Sequence, residues 1–119
     1  MVGWWLVAGV YAAGVLYLSL IPVDVDVPGH FLDKLVHVWE YLFFAWILVQ
    51  AVRTQRLRER EYLVLAWLYA TSFGLLVELL QALVPWRSAD IMDAFSNAIG
   101  AAFGVWLGQR IPRPARRSS

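Results

Sequence analysis

Four apolar segments, separated by short polar links, make up most of this chain. By hydropathy they run over residues 4–21, 35–52, 62–84 and 91–107. Each is close to the ~20 residues that an α-helix needs to cross the hydrocarbon core of a bilayer, and the last is the shortest. Because a helix satisfies its backbone hydrogen bonds within one segment, the pattern predicts an all-α, integral membrane four-helix bundle.

Composition supports this class of protein. The 119 residues are 61% hydrophobic and 15% aromatic, which is more apolar surface than a soluble domain of this length buries. Cysteine is absent, which excludes disulfides and thiolate metal sites. The first segment has no basic stretch before it and a poor cleavage site after it, so we expect a retained helix and not a signal peptide.

Arginine is concentrated in the link between the second and third segments and in the C-terminal tail. These arginines are Arg53, Arg56, Arg58, Arg60, Arg110, Arg113, Arg116 and Arg117. With four spans, both regions share one side with the N-terminus, and the positive-inside rule makes that side cytoplasmic. We therefore predict an N-in, C-in protein of the cytoplasmic (inner) membrane, with links 22–33 and 85–90 outside. Residues 1–110 are the predicted membrane domain, and 111–119 are predicted to be a disordered basic cytoplasmic tail.

A set of polar residues at membrane depth borders the two predicted outer links, whereas Glu40 and Gln50 are peripheral to it. The set comprises Asp33, Lys34, His37 and Tyr41, then Glu78 and Gln81, then Arg87, Asp90, Asp93 and Asn97. Spacings of three or four residues place the members of each segment on one helix face. Since ionisable groups in lipid are costly, a clustered set indicates a functional site. We expect an outward-opening polar pocket, with Gly100 and Gly104 packed closely against another helix.

Some of these residues have simpler explanations. Asp33 and Asp90 could each cap the helix that follows, and for both residues the capping role and the site role stay open. His37 alone is more typical of a hydrogen bond between helices than of a catalyst. Glu78 is harder to explain in this way, because it lies about 10 Å below Pro85 by helix rise. A carboxylate at that depth must be protonated or paired with a basic group.

The order and spacing of these residues resemble the VanZ-like family of small integral membrane proteins. The matching positions are Asp33, Lys34, His37, Tyr41, Glu78, Gln81, Pro85, Arg87, Ser88, Asp93, Asn97 and Gly100, together with residues 19–22. The chain departs from the family at Trp86, where a small residue is more usual. The resemblance implies a membrane fold with a site at the quoted positions, Ser88 included. It also implies a link to resistance against the glycopeptide teicoplanin, for which the family is named, but no defined reaction.

The favoured function is a cell-envelope protein that recognises a lipid or lipid-linked headgroup in the outer leaflet. Lys34 and Arg87 would hold an anionic group, and the arginine would offer a bidentate fork. Neutral hydrogen bonds would come from Tyr41, Gln81 and Asn97. Membrane lipids are therefore the expected partners, no nucleic acid is expected, and the oligomeric state is left open.

A small membrane enzyme is the alternative. His37 with Glu78 or Asp93 could act as an acid–base pair on a lipid-linked substrate. One or two histidines among scattered carboxylates are a weak metal signature, so neither a metal nor another cofactor is predicted. A transporter or proton relay is least favoured, because the polar faces do not continue into the cytoplasmic half of the segments.

Overall fold

A computed structural model of the protein describes residues 2–21, 30–55, 57–85 and 91–110. They form four α-helices: α1 (Val2–Leu20), α2 (His30–Val52), α3 (Glu59–Ala82) and α4 (Ile91–Gln109). All four are long enough and apolar enough to cross a membrane. The predicted all-α four-helix architecture is confirmed, and the N-in, C-in orientation stays a prediction.

Six of the eight helix boundaries differ from the sequence prediction, and two of these differences bear on the site. α2 begins at His30, three residues before Asp33, so Asp33 is not the N-cap residue and the capping alternative for it is excluded. The link between α1 and α2 is correspondingly shorter than residues 22–33. α3 ends at Ala82 and not at residue 84. Glu78 therefore lies about 6 Å inside the end of α3 by helix rise.

α2 is the central helix, since it packs against all three others and most extensively against α4. The α4 surface that contacts it carries glycine at every fourth position, at Gly100, Gly104 and Gly108. A Cβ atom at Gly100 would lie 2.2 Å from the backbone oxygen of Val38, and one at Gly104 would lie 2.1 Å from that of Leu42. Backbones can approach this closely only where no side chain intervenes. The predicted close approach of Gly100 and Gly104 to another helix is confirmed.

α1 is more loosely attached than the other helices. It contacts α2 and, to a lesser extent, α3. The Tyr11 hydroxyl donates a hydrogen bond to the Glu40 backbone oxygen at 2.5 Å, and the Tyr11 ring stacks on Phe44 with centroids 5.6 Å apart. Phe44 also packs edge-on against Phe73 of α3 at 5.2 Å. These aromatic contacts join three helices near the middle of the bundle.

Large apolar side chains cover the outside of the bundle. The most exposed include Leu6, Val10, Tyr17, Leu79, Leu83 and Ile91. A soluble protein rarely exposes so continuous an apolar surface, whereas hydrocarbon covers it at no cost. The arrangement is that of a bundle surrounded by lipid.

Arg53 ties the helices together at the end where α2 and α4 finish. Its Nη1 atom donates to the Gly108 backbone oxygen at 3.2 Å, and its guanidinium lies 5.5 Å from the centre of the Tyr62 ring. A cation that binds the last carbonyl groups of a helix also interacts favourably with the helix dipole. Part of the arginine-rich link therefore has a structural role besides its value as a topology signal.

Candidate functional site

The up-and-down arrangement of the helices brings the starts of α2 and α4 beside the end of α3. Six side chains gather there and are called the polar cluster below: Lys34, His37, Tyr41, Glu78, Asp93 and Asn97. By helix rise, His37 lies about 10 Å inside the start of α2 and Asn97 about 9 Å inside the start of α4. Tyr41, Glu78, Asp93 and Asn97 are buried. The polar cluster thus lies within the apolar part of the bundle.

Lys34 and Asp93 form an ion pair between α2 and α4. The ammonium donates to Oδ1 of the carboxylate, and the two side chains are 23% and 9% exposed. The sequence suggested that Lys34 holds an anionic ligand. In the structure the Lys34 ammonium pairs with Asp93, because a carboxylate at this depth needs a partner. Any anionic ligand would therefore meet a lysine whose charge is already partly neutralised.

His37 lies between Asn97 and the Asp93 carboxylate. Its Nδ1 atom is 3.1 Å from Oδ1 of Asn97, and since an amide oxygen only accepts, Nδ1 carries the proton. Its Nε2 atom faces Oδ2 of Asp93 at 3.5 Å, which is longer than a normal hydrogen bond. Asn97 therefore fixes the ring so that Nε2 faces a carboxylate oxygen across a small gap.

Glu78 of α3 lies close to both His37 and Asp93. One nitrogen of His37 and one carboxylate oxygen from each of Glu78 and Asp93 all lie within 4.8 Å of one another. The sequence nominated these three residues as an acid–base set from three separate segments. The structure brings the three together, and their catalytic role stays a prediction.

Gly74 makes room for the inner part of the polar cluster. A Cβ atom there would lie 3.0 Å from Nδ2 of Asn97 and 3.1 Å from Cε1 of Tyr41. Within the part of the chain that the structure describes, the buried Tyr41 hydroxyl and Asn97 Nδ2 have no hydrogen-bond partner. Leaving a buried polar group unsatisfied costs about 1–3 kcal/mol. These two atoms are therefore candidates for hydrogen bonds with groups beyond the described residues.

Gln81 has a structural bond that the sequence did not indicate. Its Nε2 atom donates to the Ser19 backbone oxygen at 2.9 Å, which ties the end of α1 to the end of α3. Its buried Oε1 atom has no hydrogen-bond partner among the described residues. The nitrogen end of this amide thus has a structural role, and the ligand-binding role of Gln81 stays a prediction.

A model of the VanZ/LLP1 family matches residues 5–111 of the chain. The chain belongs to this family. Its membership confirms the resemblance inferred from the polar residues, and the matched region contains the whole polar cluster. Together with four apolar helices, it makes the chain a multi-pass membrane protein. Comparisons with curated proteins and with solved structures gave no match.

Two of the nominated ligand-binding residues, Arg87 and Ser88, lie outside the described residues, as do Asp90 and the tail 111–119. The described polar cluster contains one lysine, two acidic residues and one histidine. With both carboxyl groups ionised, its net charge is −1 when His37 is neutral and zero when His37 is protonated. In these two states the described polar cluster offers no net positive charge to an anion.

Sequence reasoning missed contacts in which a side chain meets a backbone carbonyl of another helix. The bond from Gln81 to Ser19 is one, and another joins Nε1 of Trp67 to the Ala98 backbone oxygen at 3.1 Å. Every residue has a backbone oxygen, so the sequence carries no mark of which one is used. A polar side chain on an otherwise apolar inner face was the only available signal.

Proposed function

We propose that this VanZ/LLP1 family protein acts in the bacterial cell envelope and binds a lipid or lipid-linked headgroup at its polar cluster. The observation that carries the proposal is the pair of buried atoms, Tyr41 Oη and Asn97 Nδ2, with no hydrogen-bond partner in the described part of the chain. A headgroup offers both donors and acceptors. Its acyl chains would remain in the surrounding lipid, against the exposed apolar faces of the helices.

The proposed headgroup is anionic and lies in the outer leaflet, where the predicted topology places the polar cluster. Since the Lys34 ammonium is shared with Asp93, the main phosphate contact is assigned to Arg87. A guanidinium binds phosphate with two parallel hydrogen bonds, which an ammonium cannot reproduce. Ser88 and Gln81 would add neutral hydrogen bonds beside it.

Lipid retention tests this proposal. Wild-type protein extracted in mild detergent should keep an anionic lipid or lipid-linked molecule that native mass spectrometry detects. Arg87→Ala should lose most of it, and Arg87→Lys should retain an intermediate amount. Arg60→Ala is the matched control, because Arg60 is an exposed arginine of α3 at the opposite end of the bundle. Equal retention by folded Arg87→Ala and wild type would refute anion recognition.

The position of His37 supports a second candidate, a membrane enzyme that uses acid–base chemistry. Asn97 lies against Nδ1 and Nε2 faces Asp93, so this candidate assigns Nε2 to accept a proton from a substrate nucleophile. A neighbouring carboxylic acid, Glu78 or Asp93, could return a proton to the leaving group. Glu78→Gln distinguishes the two candidates: an enzyme variant would still retain its lipid but would fail to convert it, as followed by mass spectrometry of membrane lipids.

The family resemblance also implies a cellular readout. If the polar cluster acts on envelope lipids that bear on glycopeptide action, expression of the wild type in a teicoplanin-sensitive bacterium should raise the inhibitory concentration. Arg87→Ala, expressed to the same level, should not. A teicoplanin response that is identical for both proteins would separate the resistance phenotype from this site.

A further inference from the structure

Nε2 of His37 and Oδ2 of Asp93 are separated by a distance that suits two ligands of one metal ion. Nε2 and Oδ2 are 3.5 Å apart and make no normal hydrogen bond. Two atoms that bind one metal ion at ~2.1 Å with a tetrahedral angle are about 3.4 Å apart. The separation therefore matches that of two ligands of the same ion.

A neighbouring side chain positions each of the two groups, the His37 ring and the Asp93 carboxylate. Asn97, which is 1% exposed, lies with its Oδ1 against Nδ1 of His37, and Nε2 on the other side of the ring faces Asp93. Lys34 binds Oδ1 of Asp93 and leaves Oδ2 facing the histidine. A metal-binding histidine almost always donates its other ring N–H to an oxygen, and ligating carboxylates are themselves hydrogen-bonded. The surroundings of His37 and Asp93 have this arrangement.

Glu78 supplies the third ligand atom. An oxygen of its carboxylate lies within 4.8 Å of the atoms offered by His37 and Asp93, and the side chain is 5% exposed. With His37 neutral, the net charge of −1 on the polar cluster offsets one of the two charges of a divalent ion, which reduces the cost of holding that ion in an apolar bundle.

We propose that His37, Glu78 and Asp93 form a binding site for a divalent transition-metal ion, with Asn97 and Lys34 as positioning residues. One imidazole with two carboxylates suits Zn²⁺ or Mn²⁺ better than Mg²⁺, which prefers oxygen ligands alone. This replaces the sequence-based expectation of no metal, because the three ligands come from three helices and have no spacing motif. The proposal does not depend on lipid recognition.

Metal binding by the purified full-length chain tests the site. The protein, free of any histidine tag, is stripped with EDTA and titrated with Zn²⁺ in detergent by calorimetry. We expect about one ion per chain, weaker binding of Mn²⁺ and a rise in thermal stability, following the usual order of affinities. Glu78→Gln and Asp93→Asn should each abolish measurable binding. Asn97→Leu should weaken it by about 10–100-fold, as loss of a group that orients a ligand does.

Two controls separate this site from other acidic and histidine groups. Glu59→Gln removes an exposed carboxylate at the opposite end of α3, and His30→Gln removes the only other histidine. Both should bind Zn²⁺ like the wild type. Loss of binding in His30→Gln would overturn the assignment, as would unchanged binding in folded Glu78→Gln and Asp93→Asn.

The wild type alone keeps the proposal testable if those variants fail to fold. X-ray absorption at the zinc edge should show one imidazole nitrogen and otherwise oxygen ligands. A folded wild type that binds no Zn²⁺ at millimolar concentration, or binds it with two imidazoles, would refute the site. Lipid retention measured in EDTA and metal binding measured after delipidation let the two proposals fail separately.

Discussion

Lys34 of α2 and Asp93 of α4 form an ion pair between residues that are 59 positions apart in the chain. The pair lies at one end of the interface where glycines bring the two helix backbones into contact. Because the glycine contacts fix the distance between the helices and the ion pair fixes their alignment, the two features together set the geometry of the polar cluster. Sliding one helix along the other would break the ion pair between Lys34 and Asp93.

Breaking this ion pair from one side should destabilise the bundle. Removal of one partner from a buried pair costs about 3–5 kcal/mol, and the lower end applies here because the Lys34 side chain is 23% exposed. Lys34→Met and Asp93→Leu should each lower the free energy of unfolding, measured in micelles with EDTA present. The double variant should lose clearly less than the sum of the two. Additive losses would show that the two side chains are not coupled.

Glycine-to-alanine substitutions should have opposite consequences on α4 and α1. Gly104→Ala forces a methyl group against the Leu42 backbone oxygen, and overpacking of this kind costs about 1–3 kcal/mol or more. Gly14→Ala is the matched control, since nothing lies within 4 Å of its Cβ position. We expect Gly104→Ala to lower the thermal unfolding temperature and Gly14→Ala to leave it unchanged or raise it. A similar loss in both would exclude close packing as the cause.

Gln81→Leu should loosen α1 without unfolding the other helices. The variant loses the hydrogen bond to the Ser19 backbone oxygen, worth about 0.5–1.5 kcal/mol, and α1 has few other contacts. Hydrogen exchange followed by mass spectrometry should show faster exchange in the second half of α1 and little change in α4. Gln55→Leu, at an exposed position after α2, is the control. Unchanged exchange in α1 would mean that its attachment depends on the aromatic contacts instead.

Topology can be tested with single cysteines, because the chain has none of its own. The arginine distribution predicts that a membrane-impermeant maleimide labels Pro28→Cys in intact cells but leaves Gln55→Cys unlabelled until the membrane is opened. Labelling of Gln55→Cys in intact cells, with Pro28→Cys protected, would reverse the orientation. The polar cluster would then face the cytoplasm, and its proposed ligand would belong to the inner leaflet.

The sequence by itself determined that the chain has four apolar helices, that polar residues lie at one end of three of them, and which face of each helix is polar. Hydropathy and helical period are local properties, so each segment reveals them without its neighbours. The one large boundary error, the start of α2, arose because Asp33 and Lys34 lower the hydropathy there. Pro28 was the better marker of the helix start, since no helix breaker lies between His30 and Lys34.

Only the tertiary structure decided which polar groups meet. The sequence offered Lys34 as a partner for Glu78 or for a ligand. In the structure the Lys34 ammonium pairs with Asp93, and Asn97 contacts Nδ1 of His37. The choice depends on the rotation and axial position of each helix, to which the approach of Gly100 and Gly104 to the backbone of α2 contributes. Helical period specifies the polar face of one helix, but a shift of a few ångströms between two helices changes every pairing across them.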